Sequence, residues 1–159
     1  MKILYFSESI YPLAGLAGAI HTGRLAAGEK PDKNFWSQPF LSIKKNDPGK
    51  VLSLGKDARG NDVYALSVKG ERGMVYRLVN SFLGLYGIGE NELSLVDSGA
   101  GDNFYLLAGL LFCRFHLLAP LGRYLIFCGV KKHYGRISQL TFDVQSRSGK
   151  SSLTAESKL

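Results

Sequence analysis

The sequence predicts a three-layer, Rossmann-like α/β domain with a mainly parallel sheet and one added β-hairpin, and three observations carry that expectation. The first is a nearly continuous apolar run, Ile3-Leu4-Tyr5-Phe6, of the kind found in strands buried on both faces. The second is a helical pattern directly after it, in which Leu13, Leu16, Ala17 and Ile20 share one face with Arg24. The third is the stretch from Glu92 to Gly129. It reads as a strand around Leu93, Leu95 and Val96, a loop Asp97-Ser98-Gly99-Ala100-Gly101-Asp102, a helix opening near Asn103, and a second strand from Tyr124 to Cys128. A parallel strand pair needs a crossover of a dozen or more residues, and this spacing supplies one, so the stretch is expected to be a βαβ unit.

The elements follow in order. After the first strand, Ser7 to Tyr11 forms a loop, and Pro12 suits the first position of a helix that ends between Gly23 and Gly28. Pro31 to Leu41 is expected to be a short helix with Phe35, Trp36 and Phe40 packed inward, followed by a turn-rich connection from Lys44 to Gly49. Val51–Leu54 and Val63–Val68 read as strands. Gly60-Asn61 in the connection tolerates positive φ, which makes a hairpin the economical arrangement. From Gly70 the pattern is helical, with Met74, Val75, Leu78, Val79, Phe82 and Leu83 on one face and Gly87 or Gly89 as the stop. Gly129 frees a turn, Lys131-Lys132-His133 lead into a short last helix anchored by Tyr134, Ile137 and Leu140, and residues 146–159 are expected to be a flexible polar tail after a single domain over 1–145.

Composition narrows the class. One domain is the default at 159 residues, a length able to bury about two thirds of the surface its unfolded chain exposes. A formal charge of +7 attracts anions in general, but the basic residues are scattered and lack interleaved aromatics, so nucleic acid is not the expected partner. Cys113 and Cys128 are flanked by apolar residues and are expected to be buried free thiols, which fits a cytoplasmic setting and gives neither a disulfide framework nor a zinc site. Ser7-Glu8-Ser9 interrupts the first apolar run too early for a signal peptide. Arg114, His116, Pro120 and Arg123 divide the Leu- and Phe-rich stretch from Phe104 to Cys128 into pieces too short to span a bilayer, so no membrane is expected.

Candidate site residues come from the topology. In open α/β sheets ligands bind beyond the carboxyl ends of the strands, which singles out Asp97 and the loop after it, with Ser98 and Asn103. A strand followed by a polar loop and a helix N-terminus gathers unpaired N–H groups, which adds Ser7 and Ser9. No glycine lies between Ser7 and Ala14, and Pro12 removes a donor, so the loop is a poor phosphate cradle. Lys131 and Lys132 are expected to share an edge with Asp97. His21 is a further ligand-binding candidate, although it lies deep in its helix, a position more typical of a packed or hydrogen-bonded histidine. Asp97 reads equally as a helix cap. Gly149-Lys150-Ser151 matches only the end of a P-loop, since Val144 stands where that motif needs glycine. Neither a Ser/His/Asp order nor paired carboxylates, HExxH or CxxC occur, so no catalytic residue, metal ligand or cofactor is named.

Several segments together resemble the DUF3189 family, a small Firmicutes family of unknown function. They are Ile20-His21 with Gly23 and Leu25, the hairpin residues Gly55, Asp57, Gly60-Asn61, Val63-Tyr64 and Leu66, and Val96-Asp97. Leu121-Gly122-Arg123, Leu125-Ile126, Gly129, Lys132 and Tyr134 continue the match. The resemblance covers Lys2 to about Leu140. It implies a cytoplasmic protein of a spore-forming lineage and no established reaction. It also implies a Gly-Gly-Thr-His-Ser-Ser-like loop after the first strand, where this chain has Ser9-Ile10-Tyr11-Pro12-Leu13-Ala14, as expected of a divergent member. The reading that results is a protein binding a small anionic ligand, nucleotide-like or phosphorylated, at the carboxyl edge. The alternative is a non-catalytic scaffold for a protein partner, linked to sporulation.

Overall fold

A computed structural model describes residues 1–156 apart from 33–34, 39–48, 69–71 and 90–91, and the side chains of 72 and 148–156 are not described. Among the described residues the chain is an α/β domain with a four-stranded mixed sheet of order β2-β3-β1-β4. The strands are β1 (Lys2–Glu8), β2 (Val51–Lys56), β3 (Asp62–Ser67) and β4 (Leu93–Gly101), and the helices are α1 (Leu13–His21), α2 (Arg72–Leu85), α3 (Phe104–Cys113) and α4 (Ala119–Glu156). The apolar run places β1 centrally, parallel to β3 on one side and to β4 on the other. As expected, β2 and β3 form the antiparallel hairpin, with Gly60 at φ +81° in its turn.

Helix α1 lies on the sheet with all nine residues buried. Its small residues permit this close approach, for a Cβ on Gly18 would fall within 2.2 Å of the Leu54 side chain. Gly23, at φ +72°, ends the helix where a left-handed residue is needed. The core joins Ile3, Tyr5, Val63 and Ala65 of the sheet to Leu13, Leu16 and Ile20 of α1 and to Ile126, Val130, Tyr134 and Ile137 of α4.

That last group corrects the expected βαβ unit. Residues Tyr124 to Cys128 are not a strand; they lie inside α4, which begins at Ala119 and runs for 38 residues. The buried positions Gly122, Ile126, Val130, Tyr134, Ile137 and Thr141 recur every three or four residues, and that period lays a helix against its neighbours. The turn expected at Gly129 and the short last helix are thus one continuous element. It also includes 146–156 of the stretch 146–159 expected to be a tail, the rest of which lies outside the described residues.

Three smaller differences follow. Asp97 to Gly101 prolong β4 instead of forming a loop; a bulge absorbs the extra residues between the pairs Phe6–Asp97 and Glu8–Gly101, with Gly99 at φ +64°. Among the described residues of the expected 31–41 helix, Phe35–Ser37 form a 3-10 turn, with Phe35 buried and Trp36 exposed. Phe40 and the connection 44–48 lie outside the described residues. Helix α2 packs loosely, with Met74, Leu78 and Phe82 exposed and Val75, Val79 and Leu83 half-buried. Cys113 and Cys128 are free but only half-buried, both on helices. No described helix is long and apolar enough to cross a membrane.

The course of α4 positions everything else. Asn103, at the carboxyl end of β4, donates its Nδ2 to the Gly129 carbonyl (3.0 Å), while the Gln145 side chain donates to the His21 carbonyl (2.9 Å) at the opposite edge. The sixteen residues between them rise about 24 Å, which matches the roughly 23 Å height of a seven-residue strand. Residues 119–129 therefore reach roughly 15 Å past the carboxyl edge, paired with α3 as a helical hairpin.

Candidate functional site at the carboxyl edge

The loop between β1 and α1 gathers donors, as its sequence predicts, and an acceptor from the chain itself meets them. Ser7, fully buried, accepts the Ala14 N–H through its hydroxyl at 3.2 Å and so satisfies one orphan donor of α1. The Ser9 hydroxyl accepts the Tyr11 N–H (3.2 Å) and donates to Oδ1 of Asp102. The Ile10 N–H points at both oxygens of the same carboxylate, 3.1 Å from Oδ1 and 2.9 Å from Oδ2. Asp102 follows the last residue of β4, so the pairing ties the ends of two neighbouring parallel strands across their crevice. A backbone N–H and a hydroxyl converging on a carboxylate make charge-assisted hydrogen bonds.

The other expected residues divide between this edge and elsewhere. Asp97 accepts the Gly99 N–H at 2.8 Å and braces the β4 bulge. Asn103 caps α3, its Oδ1 accepting the Leu106 N–H at 2.9 Å. Ser98 is buried in the bulge, and its hydroxyl has no partner among the described residues. Lys131 and Lys132 are exposed on α4, one turn beyond Gly129, rather than on a turn after a strand.

Two residues of α4 were not among the expected site residues, because the sequence put them at the start of a short last helix after a turn and did not show that α4 runs back along β4. His133 lies one turn past Gly129, on the face toward β4, and its Nε2 is buried without a partner among the described residues. Burial, then the charges of Lys132 and Arg136, hold its pKa below the ordinary histidine value, so the ring is neutral at pH 7. Arg136 lies one turn further on, with its guanidinium against Gly99. Two unpartnered polar atoms, Ser98 Oγ and His133 Nε2, thus belong to the bulge and to the helix face turned toward it.

His21 belongs to the other edge. The first residues of β1, β3 and β4 lie side by side there, and the hairpin turn Asp57–Asn61 adjoins them. Tyr5 Oη lies 2.6 Å from His21 Nδ1, and His21 Nε2 lies 3.2 Å from Oδ2 of Asp57. Asp57 also accepts the Arg59 N–H (2.9 Å), the Asn61 N–H (2.8 Å) and the Asn61 side-chain amide (2.9 Å). Burial lowers the His21 pKa and outweighs the hydrogen bond and charge of Asp57, while Arg59 adds to the lowering. Burial alone would raise the Asp57 pKa, but the bonds from Asn61, His21 and Arg59 together pull it below the usual carboxylate range. A neutral His21 beside an ionised Asp57 fixes the tautomer: Nε2–H donates to Asp57, and Nδ1 accepts the Tyr5 hydroxyl proton. With His21 and Asp57 both nearly inaccessible, this closed relay is a clamp between β1, α1 and the hairpin. The sequence displayed every member of it, but not the tertiary pairing. Among the described residues no group of three His, Cys, Asp or Glu is placed to hold a metal ion.

Fold and edge together define a mixed-sheet α/β domain whose first strand–helix junction grips a carboxylate. The chain belongs to the DUF3189 family, described as a protein of unknown function, whose family model matches residues 2–146. No curated protein and no solved structure matches the chain.

Proposed function

We propose that the protein binds a small anionic ligand, nucleotide-like or phosphorylated, at the carboxyl edge of its sheet. The observation that supports this is the grip of Ser9 and Ile10 on the Asp102 carboxylate, a cradle of oxyanion donors with an internal occupant. A phosphoryl or carboxylate group arriving at the crevice exchanges with Asp102 for the same two donors. Arg136, with its guanidinium at the bulge on the same edge, offers that group a cation. Ser98 Oγ and His133 Nε2 are buried polar atoms with no partner among the described residues, and a ligand reaching the bulge would supply one. The three-layer, Rossmann-like reading of the fold belongs to this proposal, in which α1 and α4 form the layer on one face of the sheet. The cytoplasmic setting belongs to it too, since phosphorylated metabolites are abundant there.

The test is calorimetric titration of inorganic phosphate and of nucleoside phosphates into the wild-type protein, Asp102→Asn and Ser9→Ala. Removing the competing charge should tighten anion binding by about tenfold, since hydrogen bonds to charged groups contribute about 1.5–3 kcal/mol, and Ser9→Ala should weaken it. Saturable binding absent from both the wild type and Asp102→Asn would end this reading.

A specific observation favours a second reading, a scaffold for a protein partner. Helix α2 exposes Met74, Leu78, Phe82 and Leu85 at helical spacing, with Tyr86 just beyond, as an apolar stripe on its outer side. Retention of every binding partner by Leu78→Asp and Phe82→Asp variants would remove it.

A further inference from the structure

The projecting α3–α4 hairpin has a composition that water does not favour. Helix α3, Phe-Tyr-Leu-Leu-Ala-Gly-Leu-Leu-Phe-Cys, holds no charged residue, yet only Leu106 and Gly109 within it are buried. A helix apolar all round is ordinarily enclosed. Here the two helices meet backbone to backbone: a Cβ on Gly109 would lie 2.8 Å from the Gly122 carbonyl oxygen, and one on Gly122 2.7 Å from that of Gly109. So tight a crossing directs the larger side chains outward. At the far end the turn presents Phe115, 57% exposed, and Leu117, 94% exposed, with Leu118 and Leu121 beside them.

Charge orders this surface along its length. From Asn103 to Phe142 the chain has no Asp or Glu, whereas Arg114, Arg123, Lys131, Lys132 and Arg136 are all basic. The apolar turn comes first, with Arg114 and His116 beside it. Exposed Tyr124 follows one to two turns into α4, and exposed Lys131 and Lys132 stand roughly 10 Å behind Tyr124. Apolar tip, aromatic collar and lysine base are the sequence of environments met on leaving an acyl region through the headgroups of a membrane. A second copy of this chain suits the surface less well, because it would offer Arg114 and Arg123 only more cations from its own hairpin.

We propose that the α3–α4 hairpin docks the protein on an anionic lipid surface, its tip entering the headgroup–acyl boundary and its basic residues meeting lipid phosphates. Lying on a membrane is distinct from spanning it, so the absence, among the described residues, of a helix long and apolar enough to span does not bear on docking. The carboxyl edge would then face the bilayer.

Co-sedimentation of the full chain with vesicles of phosphatidylcholine alone and of phosphatidylcholine with phosphatidylglycerol tests this. We expect partitioning onto the anionic vesicles that salt reverses, a loss of tenfold or more in Leu117→Asp, and a loss of about fivefold per site in Arg114→Gln and Arg123→Gln. Leu117, Arg114 and Arg123 are all exposed, so circular dichroism should report an unchanged fold. In a Leu117→Trp variant the emission of the added indole should shift to the blue on anionic vesicles. Absence of binding to anionic vesicles, or binding that Leu117→Asp leaves intact, would overturn the proposal. So would a dimer, seen by light scattering, that Leu117→Asp dissolves.

Discussion

At the scale of single residues, what the sequence concealed is pairing. Ser9 was legible as an N–H-rich loop residue, but the anion it serves is Asp102, 93 positions away, and nothing local to either announces the other. His21 and Asp57 sit 36 positions apart and meet only because the hairpin turn is folded beside the end of α1. The relay they form is closed, so its loss should appear in stability. Tyr5→Phe leaves Nδ1 of a buried histidine without its donor, which costs about 1–2 kcal/mol. Asp57→Asn puts an amide donor among groups that already donate, and should cost more, about 2–3 kcal/mol. Urea denaturation of the two variants and of the double variant checks both values. The pair should be non-additive, because both act through His21. An Asp57→Asn protein as stable as wild type would mean that the clamp is not formed.

At the scale of elements, β1, α1, the hairpin and α2 were readable from periodicity and turn chemistry, because each is specified by its own residues. The failure at Tyr124 to Cys128 has a physical cause. Five consecutive apolar or aromatic residues satisfy a buried strand and a buried helix equally, and a window that short holds no period. The deciding signal was wider: Gly122, Ile126, Val130 and Tyr134 at intervals of four, with Gly109 as the small residue that Gly122 meets on α3. That contact makes a sharp prediction. Gly109→Ala and Gly122→Ala must each force two backbones apart, at about 1–3 kcal/mol, and the double variant should cost less than the sum. By contrast, Gly84→Ala on exposed α2 has nothing within 4 Å and should stabilise by about 0.5–1 kcal/mol. Thermal denaturation of the three variants reads the contrast, and equal effects at Gly84 and Gly122 would disprove the close crossing.

At the scale of the whole molecule, the two edges of the sheet divide the polar chemistry: a closed relay on one side, a gripped carboxylate and unpartnered polar atoms on the other. Both edges respond to acid, and in one direction. His21 and His133 have folded-state pKa values below the ordinary 6.5, so as pH falls through that value the unfolded chain takes up protons that the fold refuses. Stability is therefore complete above about pH 7 and declines as pH drops through the 6.5 region toward the folded values. Asp57 adds a second decline. Its pKa lies below the ordinary 3.8, so its contribution is intact above that value and is lost as pH falls through the folded one. Chemical denaturation from pH 8 to pH 3 should accordingly give a plateau and two descending steps. His21→Asn should shallow the first step, because it removes the ring held between Tyr5, Asp57 and Arg59, and His133→Asn should remove the share set by burial beside Lys132 and Arg136. A wild-type stability that rises on acidification from pH 7 to pH 5 would require at least one of these rings to be charged in the fold. If His21→Asn abolished that rise, the charged ring would be His21, and the tautomer in which Nδ1 accepts from Tyr5 would be contradicted.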